Sequence, residues 1–466
     1  MASHGLLKIV DFKLSLLATL VFVLVIGCSN GSDEESSVTA VSVEPTVSAT
    51  EGSGNEPDPE ILTVDDLLAS IERAVEGIRG IDAPPPVEHR FVDQAGMQER
   101  LDEELTDPEV LEQIEHEETL FKLLGVIPQD ADLNAIYESM FGSQVLGLYD
   151  PEKEEFFVLG DDQSGAESID VEAQLTYAHE YVHRLQDAKF DLEKMKDLAT
   201  GDDMSLAISA LIEGDATSAQ SQYMLANYDF SELSELLESA LASQAELPES
   251  PYFLQRSLEF SYTDGAAFIA VILQLGGFAA VDAVFVDPPK STEQILHPEK
   301  YLDQELPIEL DFPDDGHFVR WNIQTENVMG EFFLGTWLEA LGSDSANAAA
   351  AGWAGDVYAV VENGNGETGF VATIGWDTSD DAEEFFTALT DAMAANDEYS
   401  SLGTGIPGVI ESWKVPVGNL VMSRWVAEDD KYRVVIGIGS SVGIAQELQL
   451  AGAYEFTGET ELAVLD

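Results

Sequence analysis

Cysteine is nearly absent from this chain of 466 residues: Cys28 is the only one, so no disulfide can form within it. Basic residues are scarce as well. There are 20 Lys and Arg against 89 Asp and Glu, a formal charge of −69. A surface this acidic repels phosphate backbones and anionic headgroups, which argues against nucleic acid as a partner. It suits a high-salt habitat or simple solubility and identifies no substrate. Histidine is rare too, with seven in the chain. The 45% hydrophobic content is nonetheless ample for substantial cores, and the length predicts two or three domains.

A lone thiol by itself suggests a reducing compartment; the position of Cys28 suggests otherwise. Lys8 and Lys13 precede the apolar run LSLLATLVFVLVIGC. That run is short for a membrane span and has the size of a signal-peptide core. Its end, Val25-Ile26-Gly27-Cys28, resembles the lipobox of bacterial lipoproteins, although Asp11 departs from a purely basic start. The resemblance implies a signal peptide over residues 1–28, a lipid anchor on Cys28, and an extracytoplasmic protein held at a membrane face. Residues 29–60 are rich in Ser, Glu, Thr, Gly and Pro, and poor in large apolar side chains. They cannot bury enough surface to fold and are expected to form a flexible tether.

Structure is expected from Ile61 onward. Thr63 caps a first helix that carries acids in its opening turn. DAPPPVEHRF is an extended break. Residues 94–124 and 130–142 read as helices. Two short apolar runs within 144–161 flank Asp150-Pro151-Glu152-Lys153 and predict a β-hairpin. Residues 168–195 then read as a long amphipathic helix, and 204–228, 230–245, 252–277 and 326–342 as further helices. DPPKSTEQILHPEKY, 287–301, is a proline-punctuated loop with a short helical turn. From residue 345 the composition shifts, and two hairpins, each followed by a helix, predict a small α/β domain of ββαββα order. The expected fold class is α+β: a mostly helical domain over 61–344 with a β-hairpin before its central helix, then the small domain over 345–466.

The chemistry centres on TYAHEYVHRLQD, residues 176–187. Residues i and i+4 of a helix share one face, so His179 and His183 can reach one ion. Zinc takes neutral imidazole nitrogens in a tetrahedron and, in a catalytic site, leaves one position to water. Zinc lowers the pKa of that water, and Glu180, next to His179, can take its proton during attack on a carbonyl. A metzincin would carry a third histidine six residues after His183; Lys189 stands there, which excludes that class. ALIEGDA offers Glu213 as the downstream ligand, with Asp215 as its competitor. Small residues around Glu213 are expected to let its helix approach the first. Asp187, one turn beyond His183, is a candidate to orient a ligand imidazole. His297 leads the candidates for an oxyanion donor, ahead of Tyr301 and Tyr262.

In order, VLGLYDPEKEEFFVLGD, AHEYVHRLQDAKFDL, ALIEGDA and DPPKSTEQILHPEKY resemble a family of largely uncharacterised bacterial zinc metallopeptidases of gluzincin type. The likeness covers roughly residues 60–345. It implies a zincin-like domain in which His179, His183 and Glu213 hold zinc and Glu180 is the general base. It also implies that the hairpin offers an edge to an extended peptide. Thr217 stands where the thermolysin-like pattern has aspartate, a departure that touches the groups around the ligands. The function expected is a membrane-tethered zinc endopeptidase. The alternatives are a non-catalytic lipoprotein on a metalloprotease scaffold, against which the intact Glu180 argues, and a zinc hydrolase of other amides or esters.

Overall fold

A computed structural model describes residues 63–453, apart from 94, 97, 100–104, 142–146, 151–154, 160–168, 245–249, 313–317, 319, 404–408 and 427–431. The expected signal peptide 1–28, the tether 29–60, the anchor Cys28 and the hairpin turn at 151–153 lie outside the described residues. The fold is α+β, helical in its first two thirds and sheet-based after residue 320.

The first helix, α1 (Val64–Arg79), opens on a reciprocal cap. Thr63 Oγ1 accepts from Asp66 N–H at 3.1 Å while the Asp66 carboxylate accepts from Thr63 N–H at 3.2 Å. The proline-rich break ends in β1 (Glu88–Val92); α2 (Pro108–Leu124) and α3 (Leu133–Phe141) follow. The expected hairpin is β2 (Gly147–Asp150) and β3 (Glu155–Leu159), antiparallel with Tyr149 opposite Phe156. β1 adds to β3 in parallel, so among the described residues β2 is an edge of a three-stranded sheet.

The helix with the histidines is α4 (Val171–Phe190), capped by Asp170, which accepts from Ala173 N–H at 2.9 Å. Every residue from Leu175 to Gln186 is buried. The amphipathic character expected of this stretch is therefore absent: α1, β2 and the following long helix enclose it on all sides. Polar side chains on each face of α4 must find partners inside the protein.

That long helix is α5 (Asp202–Asn227). After α6 (Phe230–Gln244) comes α7 (Tyr252–Gly276), then α8 (Phe278–Val286) and the short α9 (Thr292–Leu296). α5 runs through Glu213-Gly214 without a break. The small residues serve two neighbours: Ala216 and Ala219 share a core with Ala178 and Val182 of α4, as expected, while Gly214 faces α7. A Cβ on Gly214 would lie 2.3 Å from the Gly265 carbonyl carbon of α7, and one on Gly265 would lie 2.2 Å from Ala210 O. Two glycines thus let the backbones of α5 and α7 touch, whereas α4 meets α5 through its side chains.

The C-terminal part is a seven-stranded antiparallel sheet among the described residues, in the order β4-β5-β6-β10-β9-β8-β7. Its elements are β4 (Trp321–Asn327), α10 (Gly330–Ala340), β5 (Trp353–Asn363), β6 (Thr368–Trp376), α11 (Ser379–Ala395), β7 (Ser400–Ser401), β8 (Glu411–Val415), β9 (Gly418–Val426), β10 (Tyr432–Gly439) and α12 (Val442–Gly452). The expected ββαββα order is present as β5-β6-α11-β9-β10-α12. β4 comes from upstream of residue 345. It occupies the start of the helix expected over 326–342, which begins only at Gly330. WNIQTEN faces solvent along most of an edge strand, and its alternation rests on two apolar side chains, Trp321 and Ile323, too few to announce a strand. β5 is buried on both faces: Tyr358 and Val360 join a core shared with α2, α7 and α10, while Val357, Ala359 and Val361 pack against Leu448 of α12.

Candidate metal centre

One turn of α4 aims two imidazoles at the same point. His179 Nε2 and His183 Nε2 lie 3.1 Å apart, the rings at 81° to each other. α5 lies alongside and brings Glu213 Oε2 to 3.1 Å from His179 Nε2 and 3.3 Å from His183 Nε2. The three atoms form a nearly equilateral triangle, and all three residues are buried. Ligands at zinc bond lengths in a tetrahedron stand about 3.3–3.4 Å from one another, so these donors fit such an ion in type and spacing.

Glu180 is 2% exposed and next in sequence to His179. Its Oε2 accepts the backbone N–H of Tyr149, on edge strand β2, at 2.9 Å. Its Oε1 is buried and has no protein partner. The Tyr149 hydroxyl donates to Asp187 Oδ2 at 2.9 Å, so one residue of β2 clamps two acids of α4.

The electrostatics bind the triad together. Burial disfavours charge on His183, but the Glu213 carboxylate, with help from Glu180 and Gln186, raises its pKa to about 9. Burial alone would raise Glu213; His183 and His179 outweigh it and hold the carboxyl below its ordinary range. Metal ligands bind deprotonated, so a cation at this point displaces a proton from His183.

Sequence reasoning named the triad and Glu180, and the structure brings all four together. Asp215, the competitor of Glu213, faces away from the imidazoles: its Oδ2 accepts from Arg79 Nε and from Gln186 Nε2, each at 2.9 Å. Asp187 accepts from Tyr149 and does not orient a ligand imidazole. That contact belongs to Gln186, whose Oε1 lies 2.9 Å from His183 Nδ1. Among the oxyanion candidates, Tyr262 of α7 lies beside the site, its ring centroid 6.2 Å from that of His179. Among the described residues, none of the contacts of His297 reaches the triad. Its Nε2 meets Glu331 Oε1 at 2.8 Å, and that bond is the main reason its pKa is raised. Tyr301 donates to Asp287 O at 2.9 Å and packs on Phe268. The residues that sequence reasoning missed are Tyr149, Gln186 and Arg79. Gln186 had a signal in its i+3 spacing from His183. Tyr149 acts through its backbone and Arg79 reaches in from a distant helix, so neither had one.

The family model that matches this chain lies outside the metal site: described as a domain of unknown function, DUF8575, it matches residues 320–449, the sheet and its helices. No curated protein matches the chain. A solved structure from Chloroflexus aurantiacus, described as "a putative hydrolase with a novel fold", is 17% identical and covers 52% of this chain and 88% of that one. Its TM-score is 0.32, too low to establish a shared fold.

Proposed function

We propose that this chain is a zinc-dependent endopeptidase, tethered outside the cytoplasm through a lipid on Cys28. The observation that carries the reading is the convergence of His179 Nε2, His183 Nε2 and Glu213 Oε2 within 3.1–3.3 Å, beside a buried carboxylate with one unpartnered oxygen. A purely structural site has no use for Glu180. A zinc ion held by the triad supplies the positive charge that brings the pKa of water toward neutrality and polarises a carbonyl. Glu180 takes the water proton on Oε1 as the oxygen attacks the carbonyl carbon, while Oε2 stays anchored by Tyr149 N–H. It then passes that proton to the departing amine nitrogen as the C–N bond breaks. Tyr262 flanks His179 on the side of α7.

The preference for peptides rests on β2. This edge strand adjoins Glu180, which takes its Tyr149 N–H; its other outward backbone groups can receive an extended backbone whatever its side chains. The N-terminal lipobox supplies the tether. The test is metal content by mass spectrometry together with cleavage of an unfolded protein substrate by wild type and by Glu180→Gln. About one zinc per chain with cleavage lost in the variant supports the reading; zinc bound with cleavage indifferent to Glu180 refutes it.

A further inference from the structure

Behind His183 lies a buried chain of hydrogen bonds that spans three helices. Gln186, three residues on in α4, is fully buried. Its Nε2 donates to Ile212 O and to Asp215 Oδ2, each at 2.9 Å, and its Oε1 lies 2.9 Å from His183 Nδ1. Asp215 accepts in turn from Arg79 Nε at 2.9 Å, and Arg79 Nη1 lies 2.8 Å from Asp282 Oδ1. Neither Arg79 nor Asp215 exposes any of its side chain, and the Arg79 guanidinium sits 4.9 Å from the Phe278 ring centroid.

The direction of this chain follows from donor and acceptor types alone. A backbone carbonyl can only accept, so the Gln186 amide must turn its NH₂ to Ile212 O, whatever the charge on Asp215. The amide oxygen is thereby forced to face His183. An oxygen there requires a proton on Nδ1, which leaves the Nε2 lone pair for the triad. His179 has no such arrangement: its Nδ1 is buried without a partner.

We propose that Gln186, its amide turned by Ile212 O and further held by Asp215, is a positioning residue that locks His183 into its Nδ1–H form and so presets one of the two imidazole ligands. The proposal rests on the metal-binding reading above. It assigns Asp215, the acid two residues after Glu213, a part in orienting a ligand instead of ligating. Arg79 of α1 holds Asp215 in place from the far side.

The test compares Gln186→Leu with Gln186→Glu in the full chain. Leucine fills similar space and accepts nothing; glutamate still offers an oxygen to Nδ1–H. If the residue serves only packing, leucine should be tolerated at least as well as glutamate. With histidines selectively ¹⁵N-labelled, the His183 Nδ1 proton is expected as a protected resonance in wild type, with and without zinc. It should persist in Gln186→Glu and disappear by exchange in Gln186→Leu. Zinc affinity, read by competition with a chelator dye, is expected to fall about 10- to 100-fold in Gln186→Leu and much less in Gln186→Glu. Wild-type His183 lacking a protected Nδ1 proton overturns the proposal, as does Gln186→Leu keeping both that proton and the wild-type affinity. If the wild type binds no zinc, the metal reading fails while the proton measurement still decides the relay. Should Gln186→Leu not fold, the wild-type resonance and Gln186→Glu decide it.

Discussion

Two carboxylates, one in each half of the molecule, are equally hidden and differently used. Glu180 in the helical half and Asp356 in the sheet half are each 2% exposed. Asp356 spends both oxygens on the fold: Met329 N–H, Gly330 N–H and Trp353 Nε1–H all donate to it at 2.9 Å, which fastens the start of α10 to β5. Glu180 spends one oxygen on Tyr149 and leaves the other free beside three metal-type donors. A satisfied buried acid is a joint. Glu180, half-satisfied next to converging ligands, keeps an oxygen available for a proton.

That contrast can be broken by mutation, starting with the greatest effect. Glu213→Ala is expected to take metal content from about one zinc per chain to none, with all cleavage lost and the sheet half intact by circular dichroism. Retained zinc would mean that another group ligates. Glu180→Gln is expected to lower kcat/KM by about 10²- to 10⁴-fold, the range for removing a general base. Its zinc content and melting temperature should stay near wild type, since the amide can keep the Tyr149 contact.

Asp356→Ala inverts that pattern: zinc binding holds while stability falls by about 2–4 kcal/mol, as two amides and an indole N–H lose their acceptor. It is read by urea unfolding. Gly214→Ala probes the crossing that carries Glu213. A methyl group forced against the Gly265 backbone is expected to cost about 1–3 kcal/mol by overpacking and to weaken zinc binding by tilting α5; a neutral outcome would show that the helices are free to part.

The smallest effect is in pH. Burial raises Asp356 to about 6, against its backbone and indole hydrogen bonds, which act to lower it. The folded state therefore holds this proton more tightly than the unfolded state does. Its contribution to stability is greatest at low pH and declines as pH rises from about 4 to 6, by at most about 3 kcal/mol. Wild type should lose that increment relative to Asp356→Asn when both are unfolded at pH 4 and pH 6.5. Equal losses would show that the acid titrates normally.

Much of the site was legible because α4 carries its chemistry at helical spacing: His179, Glu180 and His183 need only one turn to define a task. Glu213 was legible as an acid inside an apolar pattern. The long helices and the two late hairpins were legible from period. β4 was not, because its alternation rests on Trp321 and Ile323 alone and Ile323 is exposed. His297 and Asp187 have partners that the sequence did not announce, for one reason: rarity and spacing say which side chains are available, whereas Glu331 and Tyr149 arrive from other elements.

The sequence by itself determined two imidazoles on one helical face, a carboxylate beside them, and a long acidic chain with one thiol, all of them properties of neighbours along the backbone. Only the tertiary structure decided that Glu213 faces the rings while Asp215 turns to Arg79, that Gln186 orients His183, and that β2 holds Glu180. Those choices depend on how α1, α5, α7 and β2 pack around a helix buried on every side, where each polar atom takes whatever partner the surrounding elements bring within reach.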